Sequence, residues 1–156
     1  MPRLAGWFGL SAVVVVLDQI SKTWIAGRIE AGTAIRLGAY LDLVHVYNPG
    51  AAFSFLSDAS GWQRWLFVAL AGAISIWLIA LIGRHRAETA APLAFALILG
   101  GAIGNLIDRL MHGAVLDFLY FHVGTWGWPA FNVADSAISA GVVLILLVRA
   151  RRRTAG

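Results

Sequence analysis

The sequence contains no cysteine. That excludes a disulfide framework, thiolate catalysis and cysteine-ligated metal centres. Charge is also scarce: 13% of the 156 residues are charged and 60% are hydrophobic. The mean hydropathy of +0.77 is far too high for a water-soluble domain, and it points to an integral membrane protein. The length fits one domain, 1–156. The net charge of +4 and the pI near 10.3 suit nucleic acid by number alone. The arginines, however, gather at the ends of apolar runs and basic–aromatic interleaving is missing, so no nucleic-acid partner is expected. The four histidines, His45, His85, His112 and His122, are scattered. There is no H-E-x-x-H for a zinc protease and no G-x-S-x-G for a serine hydrolase. Neither a metal nor a cofactor is expected.

What is present is apolar length. Four runs approach the roughly 20 residues that a membrane crossing needs. They are Trp7 to Ala26, Trp65 to Gly83, Ala90 to Ile107 and Pro129 to Val148. Asp18 and Lys22 interrupt the first run where a signal peptide would be cut, so cleavage is not expected. Arg3, Arg84, Arg86 and the arginines from Arg149 to Arg153 fall on one side of the four spans. The positive-inside rule then puts both termini in the cytoplasm. Trp62, Trp65, Tyr120, Trp126 and Trp128 fall on the outer side as an aromatic belt. The connection from Gly27 to Gly61 contains "AYLDLVHVYN", which reads as one or two strands, followed by a turn at Asn48–Gly50. The expected fold is an all-α membrane protein: four transmembrane helices with a small extracytoplasmic β-sheet between helices 1 and 2.

Against this background the acids stand out. Asp108, Asp117 and Asp135 lie at or near the outer ends of apolar runs, and "GNLID" and "FNVAD" share the frame Asn-x-x-Asp. A carboxylate at membrane depth is costly and marks a functional site. The bland alternative is an acid that caps a helix or snorkels. That is weakest for Asp135, stronger for Asp117, and strongest for Asp108, which Arg109 adjoins. Asp18 and Lys22, four apart on one helical face, read as a structural ion pair. Two carboxyls within hydrogen-bond reach share a proton, so one activates water while the other protonates the peptide. Matching frames alone would pair Asp108 with Asp135. Gly100 and Gly104 form a G-x-x-x-G face, and Ala137 with Gly141 a looser version, both expected to bring spans three and four together. A small proton-coupled transporter would also use intramembrane acids. The acids gather at one membrane face, though, and no inverted repeat is evident.

Five blocks in order carry a family resemblance: "DQISK" from Asp18, "NPGAAFS" from Asn48, "GGAIGNLIDR" from Gly100, "VLDF" from Val115 and "FNVAD" from Phe131. With them the chain resembles signal peptidase II, the bacterial intramembrane aspartic protease, over nearly its whole length. The resemblance implies an endopeptidase that removes signal peptides from diacylglyceryl-modified prolipoproteins, cutting before the lipidated cysteine. It implies a catalytic pair at Asp117 and Asp135, in place of the Asp108–Asp135 pairing. Asn48, Asn105, Asp108, Arg109, Asn132, Asp18 and Lys22 then support the site or bind substrate. The implied partners are prolipoproteins, membrane lipids and globomycin-type inhibitors. The implied location is the bacterial cytoplasmic (inner) membrane, with the active site near the outer face.

Overall fold

The computed structural model describes residues 2–50 and 61–154. Among these residues four helices are long and apolar enough to cross a membrane. They are α1 (Pro2–Ala26), α2 (Trp62–Arg84), α3 (Ala90–His112) and α4 (Val133–Thr154). Strands β1 (Ala34–Arg36) and β2 (Leu41–Asn48) fill the first connection, and β3 (Val115–Val123) and β4 (Trp126–Gly127) fill the last. All pair antiparallel in the order β1-β2-β3-β4. The sheet expected in the connection between α1 and α2 is there. It also recruits β3 and β4 from the connection between α3 and α4.

Helix α3 is the hub of the bundle and packs against α1, α2 and α4. Half of its apolar stretch is buried, whereas the other three spans expose most of theirs. Val13, Val16, Leu17, Ile76, Trp77, Val143, Leu146 and Leu147 are among the exposed large side chains. Outward apolar faces around a small interior are what a lipid solvent demands. Lipid offers no hydrophobic drive for helix association, so close approach through small residues has to supply the packing.

The glycines show where that approach occurs, and they correct the expectation for Gly100 and Gly104. A Cβ on Gly100 would lie 2.7 Å from Val14 Cβ, and one on Gly104 would lie 2.7 Å from Asp18 Oδ2. This face therefore seats mainly α1, with only the Gly104 end also near α4, where an added Cβ would lie 3.4 Å from Ala134 Cβ. The α3–α4 contact instead uses Gly101, whose added Cβ would strike Ala134 O, and Gly141, whose Cβ would lie 2.7 Å from Ala94 O. One residue along a helix turns the direction by about 100°, so neighbouring glycines serve different partners.

Two apolar clusters fix the ends of the bundle. Leu78 and Ile82 of α2 pack with Ala96 and Leu99 of α3 and with Leu4, Trp7 and Phe8 of α1. At the sheet end, Ile25 and Ile29 pack against Leu116 and Phe118 of β3. Side chains alternate along a strand, so Asp117, between Leu116 and Phe118, faces away from that cluster. Gly113, in the left-handed region at φ 81, ends α3 and returns its N–H to Arg109 O. This glycine cap turns the chain into β3 within two residues.

Candidate active site

The site forms where β2, β3 and the start of α4 meet the C-terminal half of α3. A register shift between Leu43 and Val46 sets Val46 opposite Asp117 and Asn48 opposite Val115. Such bulges re-aim side chains. Here the Asn48 amide reaches diagonally across, and its Nδ2 donates to Asp117 Oδ2 at 3.1 Å. Asn48 Oδ1 accepts from Gly50 N at 2.9 Å, which fixes the amide orientation. The remainder of the "NPGAAFS" block, 51–54, lies outside the described residues.

Phe131 pairs with Leu119 of β3 through N–H···O bonds in both directions, 2.8 and 3.0 Å. This bridge holds Asn132 between the two carboxylates. Asn132 Nδ2 donates to Asp117 Oδ1 at 2.8 Å. Asn132 N donates to Asp135 Oδ2 at 3.3 Å, and Asn132 Oδ1 accepts from Asp135 N at 2.9 Å. The last two bonds are a reciprocal capping box. Helix α4 starts at Val133, four residues later than the expected span at Pro129, so Asp135 is its third residue. The capping role, least expected for Asp135 from its sequence, is therefore one that it fills. Its second oxygen, Oδ1, is left for Asn105 Nδ2 at 2.7 Å.

Asp117 is 3% exposed, and Asp135 is half-buried. Burial pushes the Asp117 carboxyl up to about 6. The Asn48 hydrogen bond opposes the shift, the charge of Asp135 adds to it, and Asn132 and Lys22 oppose it more weakly.

Asp108 is not within this group, so the frame-based pairing with Asp135 does not hold. Asp108 Oδ2 lies 2.8 Å from Lys22 Nζ and accepts from Leu116 N at 3.2 Å. Its Oδ1 accepts from Gln19 Nε2 at 2.9 Å. The charge beside Asp108 is thus Lys22 from α1, not the adjoining Arg109. The expected Asp18–Lys22 pair is present at 2.7 Å. Asp18, fully buried, also accepts from Ala134 N at 2.9 Å through Oδ1. An anion from α1 therefore satisfies a free N–H at the positive end of α4. Lys22 Nζ completes its set with Asn105 Oδ1 at 3.0 Å. Arg109 Nη1 donates to Asn105 O at 3.3 Å, and its guanidinium sits 5.1 Å from the Phe67 ring centre.

Gln19 is the member that sequence reasoning missed. Its Nε2 also lies 3.2 Å from both Asp18 Oδ2 and Gly104 O. The available signal was a lone amide beside Asp18 in an otherwise apolar run. On the other side of Asn105 and Arg109, Phe67, Leu70, Ile98 and Ile138 line a groove of about 260 Å³ between α2 and α4. Ile74 and Ile98 also line a cavity of about 500 Å³ that leads to His85 and Arg149 at the opposite end of the bundle.

Comparison with known proteins gives this arrangement its context. Residues 10–150 match the family model described as signal peptidase (SPase) II. The lipoprotein signal peptidase of Azoarcus sp. (strain BH72) is 56% identical over 145 residues, covering 93% of this chain and 82% of that protein. The lipoprotein signal peptidase of Paraburkholderia phymatum is 49% identical over 149 residues, covering 96% of this chain and 90% of that one. A bacterial membrane enzyme solved by the in meso method at 2.3 Å superposes with a TM-score of 0.85 at 28% identity, covering 97% of this chain and 91% of that structure. With four spanning helices, a four-stranded sheet and a family match over nearly the whole sequence, the chain belongs to the signal peptidase II family, multi-pass membrane peptidases whose known role is to remove signal peptides from prolipoproteins.

Proposed function

We propose that the chain is an aspartic endopeptidase in which Asp117 and Asp135 are the catalytic pair and no metal or cofactor takes part. The observation that carries this reading is Asn132, which donates to both carboxylates, through Nδ2 to Asp117 and through its backbone N–H to Asp135. One small residue thus holds the two acids on a common frame. Asp117, lifted to about 6, keeps a proton within reach near neutrality, while Asp135 serves as the base.

In the first step a water oxygen attacks the scissile carbonyl carbon. Asp135 takes one proton from that water, and Asp117 gives its proton to the carbonyl oxygen. The tetrahedral intermediate then collapses. Asp135 passes its proton to the departing nitrogen, the C–N bond breaks, and Asp117 recovers a proton from the hydroxyl. Asn48, Asn105 and Asn132 hold the acids. Asp108, Asp18 and Lys22 brace the helices behind them. Arg109 stands over the groove.

The substrate is a prolipoprotein whose cysteine carries diacylglycerol, cut just before that cysteine. The apolar groove between α2 and α4 suits a signal helix and acyl chains arriving laterally from lipid. Globomycin-type inhibitors would occupy the same cleft beside Asp117 and Asp135. Arg84, Arg86, Arg149 and Arg151 lie at the end of the bundle away from the sheet. That supports cytoplasmic termini and a site near the outer face of the bacterial inner membrane.

The test is cleavage of a lipidated prolipoprotein by purified protein in detergent. Asp117→Asn and Asp135→Asn are each expected to abolish cleavage while the protein stays folded, and chelators are expected to leave the wild type active. Turnover in either folded variant removes that residue from the pair. Loss on chelation with recovery on added zinc ends the aspartic reading.

A further inference from the structure

Asn48, Asn105 and Asn132 each present an amide to the carboxylates, but their orientations are fixed differently. Asn48 and Asn132 are set by backbone donors, Gly50 N and Asp135 N, on their Oδ1 atoms. The short contact on Asn105 Oδ1 comes from a side-chain cation, Lys22 Nζ at 3.0 Å, with Asn132 Nδ2 farther away at 3.3 Å. An ammonium has three donors and no acceptor. The Lys22 donors meet Asp18 Oδ2, Asp108 Oδ2 and Asn105 Oδ1, at a residue 4% exposed. The end of the Asn105 amide that faces Lys22 must therefore be the oxygen, and its NH₂ must face Asp135 Oδ1, at 2.7 Å. A flipped amide would set an acceptor against that oxygen, and only a protonated carboxyl could then answer it.

We propose that Lys22 is a positioning residue for the reaction: by holding the oxygen of Asn105 it keeps the Asn105 amide donating to Asp135, and so keeps Asp135 as the ionised member of the pair. This rests on the reading of Asp117 and Asp135 as the catalytic pair. Charged groups facing Asp135 are Asp18 and Lys22 from α1, Arg109 from α3 and Asp117 from β3; Asp108 faces Lys22 instead. Strand β2 offers neutral Asn48. Arg64 of α2 is turned to Leu110 O and the Trp65 ring. Lys22 is the cation that bonds to the amide touching Asp135.

The experiment reads protonation directly. Infrared spectra of the purified protein are recorded against pH, and the Asp135 carboxyl band is assigned by its disappearance in Asp135→Asn. Lys22→Met is made together with Asp108→Asn, so that no second unpaired acid is left buried. Asn105→Leu exchanges one neutral residue for another and breaks no ion pair. Both are expected to move the Asp135 midpoint to higher pH by about one unit or more, and combining them is expected to add little, since they share one path. A folded Lys22→Met/Asp108→Asn protein with an unmoved midpoint overturns the proposal. So does an unmoved midpoint in Asn105→Leu, or full additivity of the two shifts. The band titrates whether or not the protein cleaves, so this result is separate from the fate of the catalytic pair, which cleavage by Asp117→Asn or Asp135→Asn decides.

Discussion

Asn132 and Asp135 cap one another: Asn132 Oδ1 accepts from Asp135 N at 2.9 Å while Asp135 Oδ2 accepts from Asn132 N at 3.3 Å. A candidate catalytic carboxylate is thereby also the third residue of a helix-starting box. The capping end and the reacting end of α4 are the same few atoms, so chemistry and helix stability are coupled there.

Substitutions at Asn132 separate the two roles. Asn132→Ser keeps an N-cap oxygen but loses the Nδ2 donor to Asp117. It is expected to fold with a near-native thermal midpoint and to cleave at least about tenfold more slowly, the loss of one charge-assisted hydrogen bond. Asn132→Ala loses both functions and is expected to cost a further 1 kcal/mol or so of stability. Thermal unfolding in detergent and a lipidated prolipoprotein assay check both. Native turnover in Asn132→Ser would show that the Asn132–Asp117 bond is idle.

Asp117 carries a pH signature. Its pKa rises from 3.8 to about 6 on folding, with burial as the main cause. The folded state then binds more protons than the unfolded state between those values, so stability falls as pH rises through that window. Above pH 6 the ionised, buried carboxylate costs on the order of 2–3 kcal/mol. Asp117→Asn is therefore expected to be inactive yet more heat-stable than the wild type at pH 8, with the advantage shrinking toward pH 4. Activity is expected to decline on the alkaline side as Asp117 loses its proton. Thermal midpoints of both proteins across pH 4–8 decide the point, and a variant less stable than the wild type at pH 8 contradicts it.

The bundle was legible in the sequence because a membrane crossing is a composition and a length, and both can be counted. The ordered blocks single out Asp117 and Asp135, and Asn132 bonds to both carboxylates. The partners of Asp108 were not legible, because Lys22 and Gln19 lie more than 80 positions earlier and reach it only through the α1–α3 contact. Arg109, the neighbour in sequence, points instead across Phe67. Gly141 does face α3, but the Gly100–Gly104 face seats mainly α1, and it was misassigned for the same reason: G-x-x-x-G says that a helix approaches, not which one. The start of α4 was placed early because Pro129 to Phe131 is apolar, although Phe131 is spent on a strand bridge.

The glycine assignments are themselves testable. Gly104→Ala puts a methyl 2.7 Å from Asp18 Oδ2, and Gly101→Ala drives one into Ala134 O. Each is expected to lower the thermal midpoint and cleavage together, with costs of about 1–3 kcal/mol typical of overpacking. Gly72→Ala on α2, where an added Cβ meets nothing within 4 Å, is expected to be neutral. Wild-type behaviour of Gly104→Ala would detach that glycine from the Asp18–Lys22 network.

The absence of cysteine makes orientation easy to measure. Gly38→Cys, at an exposed position in the β1–β2 turn, reports the sheet end, and Arg86→Cys, at an exposed position between α2 and α3, reports the other. Neither position takes part in the site, and no native thiol competes for the reagent. Arginine concentrated at the C-terminal ends of α2 and α4 argues that the Arg86 end faces the cytoplasm, because short basic flanks resist translocation. In intact spheroplasts a membrane-impermeant maleimide is expected to label the Gly38→Cys protein and to spare the Arg86→Cys protein until the membrane is opened. In this orientation Asp117 and Asp135 lie toward the outer face, the side to which the proposed function assigns the scissile bond. Labelling of Arg86→Cys with sparing of Gly38→Cys would place the carboxylates at the cytoplasmic face, out of reach of that bond.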